Sequence, residues 1–426
     1  MPQPTIAPAG QAGALSRPQV VAWRNAIFII FALPGMAIAS WVSRLPAVRD
    51  ILHLEPAEVG FLVFGIAAGS ILGLLASSHI VAWLGARAAI TWGLGATAAG
   101  LAAAGIGATV GPSFALTFAG LLVFGAASGI TDVAMNVSGA ANERALGRAI
   151  MPVFHAFFSF GTMLGAGLGA LAELVHLPIA THLGLVAGVI VVAMLLVRRF
   201  VQPEQVIEES GEPVAADDHS HTWRGRLSIW RDPRTLLIGV LVLAAAFAEG
   251  SANDWLAIAS VDGHGVSNAT GALVFGIFVT AMTAGRLGGI FLLDRFGRVV
   301  VLRGSFLLAA IGLLIFIFVP IVPIAIAGAV LWGLGAALGF PIGMSAAADD
   351  PKTAAARVSA VATIGYFAFL VGPPVIGLLA QHVGVIHGLL LVLVLAGIGV
   401  FVAGAAREPG RATIPTSDAF ADPQLP

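Results

Sequence analysis

The chain has 426 residues, 58% of them hydrophobic and 10% charged, against roughly 25% charged in an ordinary soluble domain. Its formal net charge is −1, and no basic run interleaves with aromatics, which gives a nucleic-acid partner no footing. It contains no cysteine, which excludes disulfides, thiolate metal sites and a cysteine nucleophile; the composition is that of a polytopic all-α membrane protein.

Residues 1–19, rich in Pro, Gly and Ala, read as a flexible cytoplasmic tail, and the apolar run that follows is too long for a signal-peptide core. A spanning helix needs about 20 mostly apolar residues to cross a hydrocarbon core of about 30 Å. Twelve stretches qualify: 20–42, 57–79, 87–109, 113–138, 149–173, 180–199, 235–257, 270–292, 298–319, 322–345, 357–380 and 385–406. The second has no sharp inner edge, because "ASSHIVAW" carries His79 without a polar break. Residues 20–199 form a first six-helix half and 235–406 a second, with 407–426 as a second cytoplasmic tail. Between them, 200–234 is a polar cytoplasmic linker whose "DDHSH" run offers metal-ligand residue types. Polar linkers carry such runs by chance, and no metal or cofactor is expected.

Lys and Arg accumulate in cytoplasmic loops. With the N-terminus inside, only Arg44 and Arg49 fall outside and Arg286 within a span, while every other Lys and Arg lies inside or at the inner edge. Both termini are therefore expected in the cytoplasm, on an inner membrane. Trp23, Trp83 and Trp230 sit near the inner interface, and Trp41 and Trp255 near the outer one, where indole rings are favoured.

An internal repeat crosses the linker. "GFLVFGI" from Gly60 matches "GALVFGI" from Gly271, and "AGLLVFGAASG" from Ala119 resembles "AGAVLWGLGAALG" from Ala327. Two parallel six-helix repeats with a binding site between them, near midplane, are expected, with alternating access by rocking of the halves.

The strongest short motif is "GRLGGIFLLDRFGRVVVLRG" at 285–304. It resembles the major facilitator superfamily, whose loop between the second and third helices of each half ends in Asp-Arg-x-Gly-Arg. The resemblance assigns a gating role to Asp294, Arg295, Gly297 and Arg298, with the carboxylate locking the inward-closed state; a plain basic loop is the other reading. The first-half copy keeps Gly85 and Arg87, but Ala82 and Trp83 stand where Asp and Arg are expected.

Charged and polar groups interrupt apolar sequence most clearly at 120–162. Gly125 and Gly129, at i and i+4, permit close helix packing. Asp132 and Asn136 share what reads as another face of the fourth span, and His155, Ser159 and Thr162 make a polar stripe on the fifth. An ionisable group at membrane depth costs several kcal/mol by most estimates, so these residues are expected to line a cavity. Asp132 and His155 could together bind and release a proton; an interhelical hydrogen-bond pair is the structural alternative. The pattern "GxxxGxxDxxxN", with Glu143, Arg148 and His155 after it, resembles the fucose-permease-like branch of the superfamily and its bacterial relatives. That resemblance implies sugar–proton symport with Asp132 in the acidic role. The acid the branch carries in its first helix is absent, since "FALPGMAIASWVSR" offers only Ser40.

Glu249, Asn253 and Asp254 form a second polar cluster on the seventh span. At about 1.5 Å per residue, Glu249 is expected towards the outer side and Asp132 towards the inner, too far apart to touch one ligand in one state. Asp254 reads as interfacial. Arg286 could pair with an acid, attract an anion or snorkel to the inner surface. Thr363 and Tyr366, the only tyrosine, could line the site, while Trp41 and Trp255 could stack on a sugar or anchor at the interface. "GPPVIG" from Gly372 reads as a kink in the eleventh span.

The expectation is a monomeric secondary transporter, proton-coupled, for a small polar solute such as a sugar. Proton-driven efflux of amphipathic compounds is the alternative, and an apolar cavity would favour it. No P-loop, paired intramembrane His or sizeable soluble output domain supports an ATPase, an enzyme or a sensor.

Overall fold

The computed structural model describes residues 15–148, 150–202, 229–350 and 353–408. Most of the linker, including "DDHSH", and nearly all of both tails lie outside the described residues. Twelve helices are long and apolar enough to span a membrane: Arg17–Val42, Pro56–Leu84, Ala86–Thr109, Phe114–Leu146, Met151–Leu174, Ile179–Phe200, Pro233–His264, Asn268–Gly289, Phe291–Phe318, Val322–Ala347, Ala356–Val383 and Val385–Ala406. They are called the first to twelfth spans below.

The fourth and seventh spans run well past their expected ends, to Leu146 and His264. Hydropathy fades before either helix stops. What stops them is a left-handed glycine cap, Gly147 at φ 61° and Gly265 at φ 65°. A short helix, Leu45–Leu52, lies between the first and second spans and was not expected; Leu45 and Val48 bury one of its sides.

Alternate spans run in opposite directions, so both chain ends leave the bundle at one face, called here the terminus face. Within the first half, Gly125 and Gly129 press directly on the carbonyls of Ile66 and Ser70 in the second span, and Gly73 answers against Ala126. A Cβ at any of these positions would collide with backbone, so the expected smooth patch brings two helix backbones into contact. The repeat is visible in the same terms. Gly120 packs on Gly100 in the first half, and its sequence counterpart Gly328 packs on Gly312 in the second. Gly85 and Gly297, the paired glycines of the basic loops, also share one backbone state, at φ 76°, ψ 155° and φ 73°, ψ 167°.

The halves meet along two seams, second span against eleventh and fifth against eighth. On the first seam Gly60 abuts the Pro373 carbonyl and Gly377 the Pro56 carbonyl, so "GPPVIG" supplies a docking surface as well as helix-interior prolines. At the face opposite the termini, Arg49 Nη1 donates to Asp262 Oδ1 at 2.6 Å, and Asn268 Nδ2 donates to Asp50 Oδ2 at 3.2 Å. Both bonds cross between halves. At the terminus face the ion pairs among the described residues stay within the second half: Arg298 and Arg234 both hold Asp349, and Arg357 holds Asp232. The bundle is thus fastened at one face and parted at the other.

Arg49 reads in sequence only as an exception to the charge bias, yet it carries the fastening. Removing it in Arg49→Ala is expected to release about 1 kcal/mol, the upper value for exposed pairs, and so to shift the closed–open balance of that face about fivefold. Spin labels on Val175→Cys and Ile321→Cys, both exposed, should then report a larger population of long distances across that face.

Candidate functional site

Between the fourth, fifth, eighth and tenth spans lies a cavity of about 710 Å³, reaching from Asp132 and His155 to Arg298 and Ser345 near the terminus face. Asp132 arrives there on the fourth span. At 100° per residue it lies on the same stripe as Gly125 and Gly129 rather than on a separate face, which corrects the sequence reading. The glycines hold the second span close, and the same stripe then turns polar. Asn136, one turn further, donates from Nδ2 to the Asp132 carbonyl at 2.8 Å and to its Oδ1 at 3.4 Å.

His155 is exposed at the cavity wall with its ring edge-on to Phe31, centroids 5.2 Å apart. The Ser159 hydroxyl is turned back on the His155 carbonyl at 3.4 Å. Arg286 enters from the eighth span, close enough to His155 to act on it electrostatically. Its Nη2 donates to both oxygens of Glu249, at 2.8 and 2.9 Å. The remaining wall is largely apolar, with Met135, Phe158, Leu287, Phe340 and Met344.

This pairing corrects the depth expected for Glu249. The seventh span runs from Pro233 to His264, which places Glu249 at its middle, and Arg286 links it to the cavity that holds Asp132. For the same reason Asp254 is not interfacial, since the helix continues for more than two turns beyond it. Trp41 and Trp255 are not interface anchors either: they are 0% and 1% exposed. Nor is Trp23 at an interface; it is buried and donates from Nε1 to the Ser138 hydroxyl at 3.0 Å.

Trp41, Asn253, Asp254 and Tyr366 line a second cavity, of about 280 Å³, between the first, second, seventh and eleventh spans. Tyr366 lies on the wall of the second cavity and not of the first. Thr162 and Thr363 are not among the lining residues. Both hydroxyls donate to their own helix, to the Phe158 and Ser359 carbonyls, and Thr162 sits against Gly35 of the first span. Ser40 is fully buried outside both cavities.

The basic-loop motif divides. Arg298 is committed, donating to Asp349 at 2.6 Å and to the Ser345 hydroxyl at 3.2 Å. Asp294 and Arg295 are exposed, Arg295 lying over Phe296, and Asp294 has no ion pair among the described residues. Gly297 breaks the helix Asn268–Phe318, which carries the eighth and ninth spans, with its non-helical backbone. Gly85 separates the second and third spans in the first half, and Arg87 stands exposed beside it. Nearby, Asp232 caps the seventh span, and the Thr235 hydroxyl holds its carboxyl below the usual range. Glu143 is likewise a cap: it accepts from the backbone N–H groups of Ile150 and Met151 at 2.9 and 2.7 Å, and so fixes the start of the fifth span.

Sequence reasoning missed three features here. The Arg286–Glu249 bond needed the depth of both helices. The buried Arg44–Glu173 pair, at 2.9 Å, had appeared as a loop arginine. The wall position of Asp254 was hidden by an underestimated helix length.

Residues 27–373 match the Major Facilitator Superfamily, with a second match over 255–422. An uncharacterised transporter of this type from Yersinia pestis is 33% identical over 387 residues, covering 90% of this chain and 94% of its own. An uncharacterised transporter from Sinorhizobium fredii is 31% identical over 84% of this chain and 91% of its own. The membrane protein MosC from Rhizobium meliloti is 28% identical over 90% and 89%. Among solved structures, a variant of the nucleoside transporter NupG superposes with a TM-score of 0.70 at 17% identity, covering 91% of this chain and 98% of that one. A variant of the E. coli fucose:proton symporter FucP superposes at 0.59 with 17% identity, covering 92% of this chain and 100% of that one. Twelve spans in two repeats, the cavity between them and these matches agree: the chain belongs to the Major Facilitator Superfamily and is a multi-pass transporter of small molecules, not an enzyme.

Proposed function

We propose that the protein is a proton-coupled secondary transporter of a small polar solute, with Asp132 as its proton site. The observation that carries this is the placement of Asp132, to which Asn136 is bonded, and of His155 on the wall of a cavity that Arg286, the partner of Glu249, also lines. A charged side chain at this depth is costly unless it is paired or faces a wet cavity. Asp132 has no cationic partner among the described residues, so its charge depends on whether water reaches the cavity. Proton exchange at Asp132 then follows the opening and closing of the halves. His155 and Asn136 are proposed to hold its charged form, and the hydroxyl of Ser159 to meet the solute. Glu249 is proposed as the second coupling group, released when Arg286 turns to another partner. Two structural neighbours, a nucleoside transporter and a fucose:proton symporter, support a polar solute.

The bias of Lys and Arg supports assigning the terminus face to the cytoplasm of a bacterial inner membrane, which makes this conformation inward-open. A second reading, proton-driven export of amphipathic compounds, is favoured by one specific observation: Met135, Phe158, Leu287, Phe340 and Met344 give the main cavity a predominantly apolar wall.

Proton flux in proteoliposomes, driven by candidate sugars, nucleosides and lipophilic cations, tests the proposal and separates the two readings. Asp132→Asn is expected to reduce solute-driven proton flux by about tenfold or more while the protein stays folded. Full coupled accumulation in that variant would remove Asp132 from the mechanism. Asp294, unpaired here, is proposed to be bonded when the terminus face closes. Asp294→Asn should therefore lose transport while remaining in the membrane, and a normal rate would reduce the motif to a basic loop.

A further inference from the structure

The second cavity has about the volume of nine liquid water molecules. It lies on the seam where the halves separate during transport. Its wall is apolar apart from Asp254, Asn253, Ser70 and the polar tips of Trp41 and Tyr366. Ser70 is already committed, its hydroxyl donating to the Gly125 carbonyl at 3.3 Å. The Asp254 carboxylate has neither an ion pair nor a hydrogen bond among the described residues, and the Asn253 amide likewise bonds to none of them. Trp41 Nε1 is buried without an acceptor.

Charge bookkeeping over both cavities points the same way. Three carboxylates, Asp132, Glu249 and Asp254, lie on or beside the two walls, where Arg286 is already bonded to Glu249 and Arg298 to Asp349. His155 is the remaining basic group. The excess is negative, so an anionic solute would meet repulsion and a cation attraction. A carboxylate that shares a cavity wall with an indole and a phenol ring offers a protonated amine an ion pair and aromatic surface.

We infer that the cavity at Asp254, Trp41 and Tyr366 binds the protonated amino group of the transported solute, which is therefore a small organic amine. This rests on the reading of the protein as a solute transporter. Asp254 supplies the counter-charge, Trp41 and Tyr366 the aromatic walls, and the Asn253 amide orients the polar remainder.

Calorimetry on purified protein in nanodiscs tests this without a gradient, using three matched pairs: glucosamine and glucose, tyramine and tyrosol, ethanolamine and ethylene glycol. The expected result is that at least one amine binds about tenfold more tightly than its neutral counterpart, and that Asp254→Asn abolishes the difference. Tyr366→Leu, at a half-exposed position, should weaken the amine more than the neutral compound and so narrow the gap within a pair, which keeps the proposal testable should Asp254→Asn fail to fold. Equal binding within every pair, absence of binding by all three amines, or an amine preference that survives in Asp254→Asn would overturn it. A wild type with no amine preference whose proton flux changes in Asp254→Asn would make Asp254 a proton site and overturn it too. Asp132→Asn should lose proton coupling yet keep the amine preference, so that failure of the amine site and failure of the coupling scheme give different results.

Discussion

Lipid offers a charged side chain neither a counter-ion nor a hydrogen bond, and the structure depends on how each intramembrane charge meets that constraint. Arg286 and Glu249 meet it by pairing across the seventh and eighth spans. Arg44 and Glu173 do so at the end of the first half, where Arg44 Nη2 also donates to the Leu177 carbonyl at 2.7 Å. Asp132 and Asp254 have no cationic partner among the described residues, and each lies on a cavity wall. Pairs of the first kind hold helices in place, whereas acids of the second kind are available to protons or to a cationic solute.

Backbone contact through small residues makes such cavities possible. The fourth span is drawn onto the second through Gly125 and Gly129, and the fifth onto the first through Gly161 against the Ala32 carbonyl. Each half is thereby a closely packed unit, and the rocking proposed for transport would act at the seams between halves. The groups that join them there include Gly60 and Gly377 on one seam, Gly276 on the other, and the Arg49–Asp262 and Asn268–Asp50 bonds at one face. A change of access needs those contacts to open and the terminus face to gain new ones, for which the exposed Asp294 is a candidate.

Much of the fold was legible because hydropathy and glycine spacing are local properties. Twelve spans and a repeat in which Gly120 and Gly328 have matching partners follow from residue order alone. Helix ends were less legible, since left-handed caps at Gly147 and Gly265 override the hydropathy profile. Those few residues mattered. Ending the seventh span early pushed Glu249 and Asp254 outward and hid both the Arg286 pair and the second cavity. Thr162 shows the opposite error: it stands in correct helical spacing with His155 and Ser159, but its position faces Gly35, because the fifth span turns that side to the first. Which side of a helix meets a cavity depends on tertiary packing, and the spacing of polar residues does not encode it.

The account requires a water-filled cavity that opens at the terminus face and is sealed at the other. Because the chain has no cysteine, a single introduced thiol reports access directly. Leu287, 56% exposed on the cavity wall, is the position to use. Leu287→Cys should react with a charged, membrane-impermeant thiol reagent applied to inside-out vesicles and resist the same reagent applied to intact cells. Reaction from the outside alone, or from neither side, would contradict both the orientation of the bundle and the open state of the cavity.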